Sequence, residues 1–139
     1  MNIYFSCSIT GGRNEQKVYK SIVDHLLEAG HEVPTAHLSD ANVTGLEVVV
    51  DPIDVFERDY RWVNQCDALI AEVSTPSHGV GYEVALALEL VKPVLCLYLQ
   101  GARVSKMITG NTKPTIQVTT YQTESEALAL VDEFLNKVP

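Results

Sequence analysis

The sequence predicts an α/β fold: a five-stranded parallel sheet with helices on both faces, a flavodoxin-like or Rossmann-like sandwich. Three observations predict it. The apolar runs "ALIAEV" (68–73) and "PVLCLYL" (93–99) are continuous rather than alternating, as strands buried on both faces are. Segments of helical period separate these runs. A chain of 139 residues, 46% of them hydrophobic, is long enough for one domain, residues 1–139, with a real core. The expected strand order is 2-1-3-4-5.

The elements follow in order. "NIYFSC" is a short β-rich run that stops at the polar, glycine-bearing "SITGGR". The next segment carries Val18, Ile22, Leu26 and Ala29 at helical spacing, widened by Val23 and Leu27, and Gly30 stands where a helix stops. "HEVPTAHL" reads as the second strand, an edge strand because of Pro34. Residues 39–50 read as loop with a helical piece. Asp51 and Pro52 form an N-cap and first helical residue, and Ile53, Phe56, Tyr60 and Val63 share one face behind them. Strand three is "ALIAEV". A helix running from the "SHGVGYE" loop to "LVKP" leads into strand four, "PVLCLYL". "GARVSKMITGN" is a connection with a short helix, "TIQVTTY" is strand five, and "ESEALALVDEFLNKV" is an amphipathic final helix.

Composition excludes several classes. The formal net charge is −8 and the ten basic residues are scattered, so the average field repels a nucleic-acid polymer. No apolar run approaches the roughly 18–20 residues of a membrane span, and the N-terminus lacks a basic leader pattern, so a cytoplasmic protein is expected. The three cysteines are far apart with no CxxC pair, and Cys96 reads as a small core residue. The four histidines do not form a metal set; only His37 and His78 can border a cleft. Trp62 and Phe56 read as core.

Ligands of such sheets bind outside the carboxyl ends of the strands. Three unusual segments fall there: "SITGGR", "STPSHGVGYE" and "GARVSKMITG". The first offers Ser8, Thr10, Gly11, Gly12 and Arg13 before a helix, where small residues let backbone N–H groups approach an anion. Glu83 admits two readings, a helix-start acid that favours the macrodipole or an ionised nucleophile kept at low pKa by that same helix start. Asp59, between Arg58 and Arg61, is either a surface ion-pair partner or the second carboxylate of a glycosidic-cleavage pair. Tyr4, in strand one, needs a polar partner for its hydroxyl if it is buried.

Taken together, "IYFSCSITGGR", "FERDYRWVNQCDALIAEVSTPSHGVGYEVALALELVKPVLCLY" and "RVSKMITG" resemble the 2'-deoxynucleoside 5'-monophosphate N-glycosidases of the nucleoside 2-deoxyribosyltransferase superfamily. The resemblance implies hydrolysis of a deoxynucleoside monophosphate to free base and 2-deoxyribose 5-phosphate, without metal or organic cofactor. It implies that Glu83 attacks the anomeric carbon, that Asp59 assists the leaving base, and that Tyr4 sits by the sugar. Ser8, Ser77 and Gly79 match phosphate-side contacts, with Ile9, Gly11, Gly12, Arg13 and His37 completing the substrate side. Ser105 and Met107 would serve the site of a neighbouring subunit, which implies a homodimer. Cys7 stands where the family has glycine and Thr10 where it has arginine, so the phosphate loop departs from the pattern there. The alternatives are base exchange between nucleosides, hydrolysis of ribonucleotides, and nucleotide binding without catalysis.

Overall fold

The computed structural model describes residues 1–139. Four parallel strands form the sheet: β1 (Ile3–Ser6), β2 (Ala68–Glu72), β3 (Val94–Leu99) and β4 (Ile116–Tyr121), side by side in that order. The helices are α1 (Gln16–Glu28), α2 (Val43–Glu47), α3 (Pro52–Gln65), α4 (His78–Glu89), α5 (Lys106–Thr109) and α6 (Glu124–Leu135), with a 3₁₀ turn at Ala36–Ser39.

The fold is thus Rossmann-like, but the sheet has four strands where five were expected. The segment meant as strand two contributes a single parallel bridge, Glu32 to Asn2, on the free edge of β1. Pro34 explains the loss. Glu32 N–H donates to the Met1 carbonyl (2.9 Å) and Ile3 N–H donates to the Glu32 carbonyl (2.8 Å). The next donor in that ladder would be residue 34, and proline has no N–H. The chain turns away, and Phe5 N–H is satisfied instead by the Thr35 hydroxyl at 3.1 Å.

Strand periodicity divides the core in two. Ile3, Phe5, Ile70, Leu95 and Leu97 face α1 and α6, while Tyr4, Leu69, Ala71, Val94 and Cys96 face α3 and α4. Tyr4 and Ser6, two residues apart on β1, therefore share the α3/α4 side. All three cysteines are buried and free. Asp51 caps α3 by accepting from Ile53 N–H at 2.8 Å, as expected. The apolar face assigned to α3 is only partly core: Val63 is fully buried, but Ile53, Phe56 and Tyr60 are exposed. No helix is long and apolar enough to cross a membrane.

One core carboxylate stands out. Glu72, fully buried on the α1/α6 side, accepts from Ser74 N–H (3.2 Å), the Ser74 hydroxyl and the Tyr121 hydroxyl (2.9 Å). Burial pushes its carboxyl up to about 7 despite these donors. The folded state therefore holds a proton that the unfolded chain releases near pH 4.5. Stability from this group is largest below that value and declines as pH rises to about 7. Denaturant midpoints across pH 4.5–7.5 are expected to fall with rising pH, and Glu72→Gln to flatten that slope.

Candidate active site

Glu83 lies in the second turn of α4. Ser77 caps the helix, its hydroxyl accepting from Val80 N–H at 3.4 Å, and the first turn holds no acidic residue. The macrodipole reading of Glu83 is thereby set aside, since that effect fades beyond the first turn. The expected low pKa goes with it. Burial pushes the Glu83 carboxyl up to about 7; the hydrogen bond from Ser6 and the nearby Tyr4 hydroxyl oppose the shift, and the charge of Asp59 adds to it. The Ser6 hydroxyl donates to Glu83 Oε2. The Tyr4 hydroxyl is buried beside the same carboxylate without a hydrogen bond of good geometry. Burial, then the charges of Glu83 and Asp59, hold this phenol far above its ordinary range.

Asp59 reaches the same place from α3. Both carboxylates line a cavity of about 580 Å³ whose wall includes Cys7, Ile9 and Thr10 after β1, Ser77 and Gly79 at the start of α4, and Val48 and Val50 after α2. This volume suits a nucleotide-sized ligand. Phe56 is 52% exposed at its rim, with ring centroids 5.5 Å from Tyr60 and 6.4 Å from Tyr82. It is a surface aromatic of the cavity rather than the core residue expected. Trp62 is half-buried beneath Arg58, whose guanidinium carbon lies 5.1 Å from the ring centroid. Burial pushes the Cys7 thiol up to about 12, so it offers no thiolate at neutral pH.

The loops after β1 and β2 converge as the sequence suggests. A side chain at Gly11 would collide with the Pro76 carbonyl oxygen and come within 3.0 Å of Ser8 Oγ. The Thr75 hydroxyl donates to Glu15 at 2.9 Å, and Gly12 takes a φ of 122° beside Thr75. The N–H groups of Ile9, Thr10 and Gly79, at the cavity wall, donate to no atom of the chain. They are donors available to an anion.

Several expected residues stand elsewhere. Arg13 spends its guanidinium on the Ser8 and Asp40 carbonyls (3.3 and 3.0 Å) and lines no part of the cavity. Ser8, Gly11 and Gly12 line no part of the cavity, and the Ser8 hydroxyl is buried and unpartnered. His37 bonds Glu47 at 3.2 Å instead of facing the cavity. Ser105 caps α5 and, with the 83%-exposed Met107, lines a separate cavity of about 400 Å³ on the other side of the α4 start. No group of three or more His, Cys, Asp or Glu side chains is placed to hold a metal ion.

The sequence reading missed Ser6, although its spacing of two from Tyr4 puts both on one strand face. The ion pair of Asp59 with a neighbouring arginine, one of its two readings, is present, but its extension to Glu47 was not foreseen. Arg58 Nε donates to Asp59 Oδ1 at 2.8 Å, while its terminal nitrogens donate to Glu47 at 3.1 and 3.3 Å. Glu47 comes from the segment with the least readable pattern.

The profile of the nucleoside 2-deoxyribosyltransferase family matches residues 3–130, and the chain belongs to that family. It is 38% identical over 139 residues to the 5-hydroxymethyl-dUMP N-hydrolase of Danio rerio, covering 96% of this chain and 95% of the relative. It is 40% identical over 118 residues to a provisionally named 2'-deoxynucleoside 5'-phosphate N-hydrolase 1 of Methanococcoides burtonii, covering 85% of this chain and 97% of the other. Among solved structures, the CMP N-glycosidase of Clostridium botulinum shares the fold, with a TM-score of 0.73 at 22% identity over 96% of this chain and 99% of that one.

The Ser6 hydrogen bond favours the ionised form of Glu83, so its removal has a definite sign. Titration of the Glu83 carboxyl by ¹³C NMR in the free protein is expected to give a midpoint near 7. Ser6→Ala is expected to move that midpoint higher, by up to about one unit, the scale of a charge-assisted hydrogen bond. An unchanged midpoint would break the assigned link between the two residues.

Proposed function

We propose that this protein hydrolyses the N-glycosidic bond of 2'-deoxynucleoside 5'-monophosphates, with Glu83 as nucleophile and Asp59 as proton donor. The observation that carries the reading is the pair of carboxylates on one cavity wall, with Glu83 backed by Tyr4 and Ser6. The names of the relatives support the substrate class.

In the first step ionised Glu83 bonds to the anomeric carbon, the glycosidic electron pair leaves with the base nitrogen, and Asp59 supplies its proton. In the second, water gives a proton to the Asp59 carboxylate and adds to the anomeric carbon. The glycosyl ester breaks, Glu83 leaves as carboxylate, and configuration is retained overall. A carboxyl group poised near 7 is ionised in a large fraction of molecules at neutral pH, and is more basic than an ordinary glutamate. The free N–H groups at the α4 start and after β1 would take the phosphate, with Ser77, Gly79, Ile9 and Thr10 beside it. The Phe56–Tyr60–Tyr82 rim would take the base. Ser105 and Met107 fit the scheme only as contributions to a neighbouring copy, which makes the working unit a homodimer.

The test is release of free base from a panel of deoxynucleoside monophosphates, run against nucleosides and ribonucleotides, with and without an acceptor base. Base release confined to phosphorylated deoxy substrates is expected; transfer to an acceptor would reassign the reaction to base exchange. Glu83→Gln is expected to lose at least about a thousandfold in kcat, as loss of a nucleophile does, with the fold intact by circular dichroism. Retained turnover would remove Glu83 from the chemistry.

Ser105→Ala is expected to raise KM about tenfold by deleting one charge-assisted hydrogen bond, and activity per chain to drop on dilution below the dimer dissociation constant. Full activity in a monomer would exclude the shared site.

A further inference from the structure

In the mechanism above Asp59 must offer a carboxyl oxygen to the base, yet its chain neighbour is an arginine that could claim both oxygens. Arginine and carboxylate pair most strongly as a fork, with two parallel N–H···O bonds. That fork does not form here. Arg58 donates to Asp59 through Nε alone, and only to Oδ1 (2.8 Å). Oδ2 of Asp59 has no partner in the chain. The terminal nitrogens are both engaged by Glu47, Nη1 donating to Oε1 at 3.1 Å and Nη2 to Oε2 at 3.3 Å. The fork is thus made to Glu47 from α2, and Asp59 receives the single remaining edge of the guanidinium.

We propose that Glu47 is a positioning residue: by occupying both terminal nitrogens of Arg58, it keeps that guanidinium from closing on Asp59 and leaves Asp59 Oδ2 free for the leaving base. The inference rests on Asp59 as the proton donor of the proposed reaction. Three further contacts hold Glu47 and Arg58 in place. His37 Nε2 lies 3.2 Å from Glu47 Oε1, the His37 ring stands edge-on to Trp62 with centroids 6.1 Å apart, and Arg58 stacks over that same indole. The side chains of Glu47, Arg58 and Asp59 are only 14%, 20% and 16% exposed, so water competes weakly for these bonds. Arg58 bears the one positive charge between two carboxylates, and Glu47 takes two of its three bonds.

The test uses Glu47→Ala, which frees both terminal nitrogens, and Glu47→Gln, which keeps one acceptor. A crystal structure of Glu47→Ala is expected to show the Arg58 guanidinium across both oxygens of Asp59; a guanidinium left in its present position overturns the proposal whatever the activity. With a deoxynucleoside monophosphate, kcat of Glu47→Ala is expected to fall about 10- to 100-fold, within the range of a proton donor's contribution, with Glu47→Gln in between. With a 4-nitrophenyl 2-deoxyriboside 5-phosphate, whose phenolate departs without a proton, kcat is expected to change less than about threefold, because no proton donor is needed. Equal losses on the two substrates would mean a general structural defect and would sink the assignment. So would unchanged turnover of the nucleotide. In an Arg58→Ala background, adding Glu47→Ala is expected to cost nothing further, since Glu47 acts only through the guanidinium; additive losses contradict that. If Glu83→Gln is inactive while both Glu47 variants turn over normally, the reaction stands and only the role of Glu47 falls.

Discussion

Gly11 sits where the loop after β1 presses on the loop after β2, and nothing larger than hydrogen fits against the Pro76 carbonyl. That contact fixes much of what lies above the sheet. Pro76 leads directly into Ser77, the cap of α4, so the position of the first loop sets where the helix begins. The start of α4 in turn places Glu83, one and a half turns on, over Tyr4 and Ser6 of β1. The Thr75–Glu15 bond ties the same junction to the head of α1. A side chain at position 11 would therefore displace Glu83 without touching it.

The sheet and most helices were legible because their signals are local. Continuous apolar runs marked β2 and β3, and Asp51–Pro52 marked the start of α3. The lost strand was legible only in part. Pro34 was read as an edge marker, but its consequence depends on register: it falls at the rung where Ile3 needed a donor, and register is a property of two segments together. The face of α3 shows the complementary failure. Helical spacing grouped Ile53, Phe56 and Tyr60 with Val63, and periodicity cannot tell a face turned to the core from one turned to a ligand cavity.

The site itself divided along the same line. Glu83 and Asp59 were legible as candidates from their neighbourhoods and from the family resemblance, and both line the cavity. Arg13 and His37 were credited from their places in the loop after β1 and at the end of the expected second strand. Each instead spends its polar groups on nearby partners, carbonyls for Arg13 and Glu47 for His37. Glu47 was unreadable because its role requires Arg58, eleven residues away on another helix. Pairing across elements is set by packing, and the sequence of the 39–50 segment carries no periodic pattern to foretell it.

Two glutamates in this molecule, the fully buried Glu72 and the partly buried Glu83, are pushed up to about 7 by desolvation. A perturbed carboxyl is often taken as a sign of function, and here that criterion alone selects two residues with opposite situations. Glu72 points to the α1/α6 side, where Ser74 and Tyr121 supply three donors and no cavity opens. Its donors satisfy it, and it holds together the base of the loop that Gly11 abuts. Glu83, on α4, takes one hydroxyl donor from Ser6, with an unpaired phenol beside it and an open cavity ahead. An incompletely satisfied carboxylate beside space for a ligand retains a lone pair that can form a new bond, whereas a saturated one does not. What separates the two is the count of donors and the direction faced: strand parity on β2 turns Glu72 to the α1/α6 side, while the second turn of α4 sets Glu83 on the cavity wall.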